Sequence, residues 1–270
     1  MIPCDLHVHT DRDHGHHSAG EMAAAAAAQG LQVLGLAGHA AMQFPCHYAM
    51  TAENESAFVA ETEQLRQRYC GTMSVLRGIE LDYYSLPPVH PYDYRLGSVH
   101  YVKFGDRIVS VDSDPQQLID AVQQLYSGDW LQLCRAYYET VAGLTAAFHP
   151  DIIAHLDLIT KFNEADRLFS TEDRRYRHLA LEAVDALMTD EPFFEINTGA
   201  ISRGYRTVPY PAPFLLQHIR RRGGRILLSS DAHNSAHLLY RFDEAARLAE
   251  SCGFRTFWTL DENGWREMPL

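Results

Sequence analysis

Short apolar runs alternate with longer amphipathic stretches along nearly the whole chain, and few folds tolerate that alternation. "LQVLGLAG", "SVLRGIEL", "YRLGSV", "DIIAHL", "FFEIN" and "RILLSS" are strand-length and apolar on both faces. Such runs belong to parallel sheets covered by helices. Between them, helical patterns run over "SAGEMAAAAAAQG", "AENESAFVAETEQLRQRY", Gln116–Tyr126, Trp130–Phe148, Glu172–Met188, "APFLLQHIRRRG" and Ala236–Ser251. Ile2–His7 opens the series as a strand, and a short strand near "RTFWTL" closes it. In the first helix, Ser18 and Glu21 stand at capping-box spacing and Gly30 supplies the stop. Parallel strands joined by helices imply right-handed crossovers. About seven or eight β–α units in 270 residues, with no Gly/Ser linker and no internal repeat, point to a (β/α) barrel. It is expected to form one domain over residues 1–270.

Composition narrows the function. Hydrophobic residues make up 46% of the chain, enough for a large core. The formal net charge is −12, without a basic stripe, which argues against nucleic acid held by phosphate contacts and against an anionic membrane surface. The 5 cysteines (Cys4, Cys46, Cys70, Cys134, Cys252) are scattered and contain no CxxC, so neither a disulfide framework nor a zinc ribbon is expected. No signal-peptide pattern opens the chain and no window reaches the apolar length of a membrane span, so a cytoplasmic protein is expected.

In a parallel barrel the chemistry collects where the strands end. His7 and His9 stand at i, i+2 at the end of the first run, with side chains on one face. His39 follows "LGLAG", Glu80 ends "LRGIE", His100 follows "LGSV", His155 follows "DIIA", and Asn197 ends "FFEIN". Asp231 and His233 follow "ILLSS", again at i, i+2, and His14 lies just beyond the first pair in "CDLHVHTDRDHG". Any one of these alone reads as a hydrogen-bonded rim residue. Seven histidines and two acids at the same end of successive strands read as a multinuclear metal site. Imidazole and carboxylate without thiolate suit catalytic zinc, iron or manganese. The donors exceed what one tetrahedral ion needs, so two or three divalent ions are expected. Clustered ions serve hydrolysis: they generate hydroxide near neutral pH and neutralise a transferring phosphoryl group.

In that order, "DLHVHT", "GHA", "GIELDY", "GSVHY", "AHLDL" and "SSDAH" resemble the PHP (polymerase and histidinol phosphatase) family. "RAYYETV", "AHLDLITKF", "EINTGAISR" and "YPAPFLL" resemble its histidinol-phosphate phosphatases in particular. The resemblance implies a distorted (β/α)7 barrel with a trinuclear site. One ion would be held by His7, His9, Glu80 and Asp231, a second by His14, His39 and His233, and a third by His100 and His155 with Glu80 shared. His14 matches the family spacing to "QGL", with His16 as the alternative. The family's acid before His39 is Gly38 here, which implies that a carboxylate orienting a neighbour is lost.

The implied reaction is hydrolysis of L-histidinol phosphate, a step of histidine biosynthesis, by attack of a metal-bridging hydroxide. Asp231 and His233 are the nearest candidates for acid/base work. Lys161 and Arg203 would clamp the phosphate. Asp11, Asp13, Asp82 and Glu164 are the acids considered for the substrate's cationic groups. The competing readings are a PHP phosphoesterase acting on another small ester or on phosphotyrosine, a nuclease, and a non-catalytic metal-binding barrel.

Overall fold

A computed structural model describes residues 4–270. Seven parallel strands form the main sheet, in the order β1 (Cys4–Val8), β2 (Val33–His39), β3 (Ser74–Asp82), β4 (Tyr94–Ser98), β7 (Ile152–Ile153), β8 (Phe193–Asn197) and β9 (Arg225–Ser229). β5 (Tyr101–Phe104) and β6 (Arg107–Ser110) form a separate antiparallel hairpin after β4. The sheet curls into a nearly closed distorted (β/α)7 barrel. β1 and β9 meet beyond their ends, through a parallel bridge between Val8 and Ala232. There His9 N donates to Ala232 O (2.9 Å) and Ala232 N to His7 O (3.2 Å).

The helices are α1 (Ala19–Ala28), α2 (Ala52–Arg68), α3 (Pro115–Leu125), α4 (Trp130–Ala142), α5 (Leu144–Phe148), α6 (Arg174–Leu187), α7 (Gly199–Ser202), α8 (Pro213–Arg221) and α9 (Phe242–Ser251). The expected capping box is formed: Glu21 N donates to Ser18 Oγ (3.3 Å) and Ser18 N to Glu21 Oε2 (2.9 Å). Such a cap is worth about 1 kcal/mol. The alanine run buries Ala19, Met22, Ala23 and Ala26, and its small side chains let the helix lie close to its neighbours.

Inside the barrel, Tyr94 crosses the lumen and donates to Leu6 O (2.6 Å). A Cβ on Gly35 would fall 2.2 Å from the Tyr94 hydroxyl, and one on Gly78 2.3 Å from its Cζ. Those two glycines make room for one large ring, the alternation of small and large that fills a barrel.

The structure corrects several expected boundaries. Residues Ile2 and Pro3 of the first expected strand lie outside the described residues. The helix over Trp130–Phe148 breaks at Gly143, where a Cβ would meet the Tyr83 ring at 2.7 Å. "DIIAHL" pairs only over Ile152–Ile153, because His155 already has positive φ (22°) and leaves the strand. The helix over Ala236–Ser251 begins only at Phe242, since Leu239 and Arg241 have φ of 55° and 53°. The short strand expected near "RTFWTL" is formed, but outside the barrel sheet. It is β10 (Thr256–Asp261), antiparallel to β11 (Gly264–Pro269). Trp265 and Trp258 of this hairpin pack on Phe193, with ring centroids 3.9 and 5.4 Å away.

Candidate metal centre

The barrel gathers the strand-end residues at its C-terminal face. Glu80 is their hub and is 1% exposed. Its Oε2 lies 3.0 Å from His39 Nδ1, 3.2 Å from His7 Nε2 and 3.5 Å from His9 Nε2. Its Oε1 lies 3.1 Å from His155 Nε2 and 3.7 Å from His100 Nε2. Register produces this: His39 and Glu80 are partners on adjacent strands.

Three sets of donors lie close enough to share an ion, each within 4.8 Å: His9, His14, His39 and His233; His7, His9 and Glu80; His39, Glu80 and His100. Asp231 Oδ1 adjoins the first two, 3.3 Å from His9 Nε2 and 3.5 Å from His233 Nδ1. These sets differ from the expected division: His9 and His39 each adjoin two of them, and His155, expected beside His100, belongs to none, its Nε2 meeting Glu80 Oε1 instead. His14 enters the cluster, its Nε2 2.7 Å from His233 Nε2. His16 is exposed at the cavity rim instead. Lys161 and Arg203 also face this cavity of about 250 Å³.

The arrangement fits divalent cations. Buried His9 Nε2 has no hydrogen-bond partner among the described residues, and it points into the donor cluster. His14 Nε2 and His233 Nε2 meet at 2.7 Å, a hydrogen-bond distance, at the edge of the same donor cluster. Every donor is imidazole or carboxylate, the set that zinc, manganese and iron accept.

Carboxylates behind the cluster aim the rings. Asp13 Oδ2 accepts from His9 Nδ1 (2.5 Å) and from His39 N (3.1 Å). Burial works against a charged His9, but Asp13 and Asp231 together outweigh it and lift that imidazole to about 9. A Cβ on Gly38 would lie only 3.6 Å from Asp13 Oδ2. The carboxylate expected to be lost at Gly38 is therefore supplied from "HTDRDHG". That loop is closed by Gly15, whose N donates to Thr10 O (2.8 Å) and where a Cβ would sit 2.8 Å from the Thr10 backbone.

Glu195, absent from the expected set, is fully buried. It accepts from His7 Nδ1 (2.6 Å), His155 N (2.8 Å), Asn197 Nδ2 (2.9 Å) and the Ser229 hydroxyl. Burial opposes its charge, yet His7 holds its pKa below the usual carboxylate range. The signal was available: an acid inside "FFEIN", at i, i+2 from Asn197 and so on its face. Asp82 Oδ2 accepts from His100 N (2.6 Å) and Oδ1 from Tyr84 N (2.8 Å). Asp13 and Asp82 are thus committed to aiming site histidines and are not free for a substrate. Glu164 is also elsewhere: it binds Thr207 and lines a separate cavity. Asp11 is exposed.

Asp231 has φ of 49°, a conformation costly for a non-glycine residue. Arg203 holds it there, donating from Nη1 to Asp231 O (3.0 Å) and from Nη2 to Oδ2 (2.9 Å). Gly199 makes this possible, because a Cβ would lie 2.7 Å from Asp231 Oδ2. Arg203 Nη1 also meets His233 Nδ1 (3.0 Å), so both nitrogens of His233 are engaged. Lys161 Nζ donates to Asp112 O (2.7 Å) and Oδ2 (3.2 Å) and lies 4.6 Å from the Tyr205 ring centroid. Tyr48, Asp112 and Tyr205 face the cavity without having been expected there.

Comparison with known proteins agrees with this geometry. A Deinococcus radiodurans protein named "Probable histidinol-phosphatase" is 28% identical over 264 residues, covering 94% of this chain and 95% of that one. A Schizosaccharomyces pombe protein of the same name is 27% identical, covering 76% of this chain and 68% of its own. Among solved structures, the histidinol phosphate phosphatase of Lactococcus lactis, complexed with zinc, L-histidinol and phosphate, superposes with a TM-score of 0.71. It is 19% identical and covers 98% of this chain and 99% of its own. The Listeria monocytogenes hisK protein superposes at 0.77 with 17% identity, over 89% of this chain and 99% of its own. The family described as PHP domain matches residues 5–199, and the sheet runs past that span to β9. With Glu80 and every site histidine except His233 inside the matched span, the chain belongs to the PHP domain family.

Proposed function

We propose that the chain is a metal-dependent phosphomonoesterase that hydrolyses L-histidinol phosphate to L-histidinol and phosphate. The observation that carries this reading is the convergence of His7, His9, His14, His39, Glu80, His100, His155, Asp231 and His233 on one cavity, with Lys161 and Arg203 on its wall. The names of relatives that align over most of the chain supply the substrate.

We assign those nine residues as ligands of two to three divalent ions. Such ions, when bound, provide a nucleophile near neutral pH and take up charge on the phosphoryl oxygens. The chain's own groups do the rest. Asp13 and Glu195 fix the tautomer and direction of His9 and His7, and Asp82 holds the backbone of His100 in place. Asp231 Oδ2 is engaged by Arg203 and Asn197, which leaves Oδ1 as the oxygen that would face an ion and a water bound beside it. His233, with both nitrogens engaged, orients Arg203 and serves as a ligand more readily than as a proton donor. Lys161 and the open face of Arg203 attract the phosphate dianion.

The deciding experiment is phosphate release from L-histidinol phosphate by protein of measured metal content, against a panel of other phosphate esters that includes phosphotyrosine. Preferred turnover of L-histidinol phosphate supports the proposal. A metal-loaded protein that prefers another ester keeps the hydrolase and sinks the substrate, and one inert on every ester favours the non-catalytic barrel.

A further inference from the structure

The proposed substrate carries an ammonium on the carbon next to its ester carbon, and this inference rests on that proposed function. An ammonium entering the cavity needs an acceptor, and the cavity wall is mostly imidazole and cation. Three carboxylates face the cavity: Glu80, Asp231 and Asp112. Glu80 is surrounded by imidazoles and Asp231 is gripped by Arg203 and Asn197. Asp112 stands outside the metal cluster.

Asp112 belongs to the excursion that leaves the barrel after β4. It follows the β5–β6 hairpin by two residues, and Val111 N donates to His100 O (2.9 Å), which pins it beside the site. Its Oδ1 accepts from Ser110 Oγ (3.3 Å) and its Oδ2 from Lys161 Nζ (3.2 Å). A carboxylate offers about four lone-pair sites, so these two bonds leave acceptor capacity. Lys161 makes its shorter bond to the Asp112 carbonyl at 2.7 Å and does not consume the carboxylate. The side chain is 18% exposed, so a ligand can reach it.

We propose that Asp112 is a specificity-determining residue whose carboxylate receives the substrate's ammonium. It thereby selects phosphate monoesters bearing an amine on the carbon adjacent to the ester carbon. Lys161 then stands beside both charges of the substrate, its cation balanced by Asp112. Selection for the amine and attraction of the phosphate share one ion pair.

The test compares L-histidinol phosphate with its des-amino analogue, 3-(imidazol-4-yl)propyl phosphate, in wild type and Asp112→Asn, both metal-loaded. A charge-assisted hydrogen bond implies that the ratio of kcat/KM for the two substrates falls about 30-fold in the variant, chiefly through KM for the amine. Calorimetry should show weaker L-histidinol binding by a similar factor. An unchanged ratio overturns the proposal, even if both activities fall, because it leaves Asp112 only the holding of Lys161. If Asp112→Asn does not fold, Asp112→Glu serves: a shifted ratio supports the proposal and an unshifted one refutes it. Failure of the wild type to hydrolyse L-histidinol phosphate is a separate result, read without any variant. It overturns the proposed function and this inference with it.

Discussion

Replacing Glu80 by Gln keeps the side chain's shape but removes its charge and one ligating oxygen. Glu80 belongs to two of the three donor sets, while His9, His14, His39 and His233 form the third without it. Metal content should therefore fall from two to three ions per chain to about one, the survivor resting on the four histidines. Phosphate release should fall on the order of 10³-fold or more, since the groups that stabilise developing charge go with the ions. In metal-free protein, Glu80 is also a second buried counter-charge of His7, at 3.2 Å beside Glu195 at 2.6 Å. Its removal there should cost about 1.5–3 kcal/mol, the scale for one hydrogen bond to a charged group, because Glu195 still pairs His7. Elemental analysis after gel filtration, phosphate release and urea unfolding with and without chelator read the three effects. A Gln variant that keeps its full complement of ions and a rate within tenfold of wild type would refute the hub role of Glu80.

Other outcomes follow from the same geometry. Asp13→Asn removes the carboxylate that aims His9 and His39, and metal affinity should weaken about 10–100-fold in a competition titration with a chromophoric chelator. The same variant tests pH dependence in metal-free protein. Asp13, with a smaller share from Asp231, raises His9 to about 9, so the stabilisation is full below about pH 6.5 and fades as pH rises through 9; it amounts to about 3 kcal/mol at most. The charge on Asp13 is held below its usual range, so the acid side of that stabilisation begins to fail only under about pH 4. The stability difference between wild type and Asp13→Asn should therefore shrink between pH 6.5 and 9, and a constant difference would contradict the pairing. Gly199→Ala places a methyl 2.7 Å from Asp231 Oδ2 and should cost about 1–3 kcal/mol in chemical denaturation, with loss of phosphate release.

The sequence made the barrel legible because its strands are buried on both faces and its helices carry their own caps. It made the ligand cluster legible because parallel strands deliver their ends to one face. The aiming groups were harder to see. Glu195 hid inside an apolar strand, and Asp13 hid in a loop whose fold depends on Gly15 and the distant His233 segment. Asp112 was missed with the hairpin that carries it. "YVKFGDRIVS" turns on Gly105 and Asp106, with Gly105 at φ 58°, a two-residue turn signal that went unread between longer helical patterns. The C-terminal hairpin was missed for a related reason: one apolar strand looks alike in parallel and antiparallel pairing until its partner is seen.

The seam between β1 and β9 gives the site a second meaning. Those strands are the first and last of the main sheet, and the site crosses the gap beside the backbone bridge and the Asp5 bonds to Ser230: His9 to Asp231 at 3.3 Å and His14 to His233 at 2.7 Å. Cations seated there would act as a clasp, fastening residue 9 to residue 231 and reinforcing the one backbone bridge and the Asp5–Ser230 bonds of the seam. Stripping them should do more than silence the chemistry. It should let the barrel part along one line, with amides of β1 and β9 exchanging with solvent before those of β2 and β3.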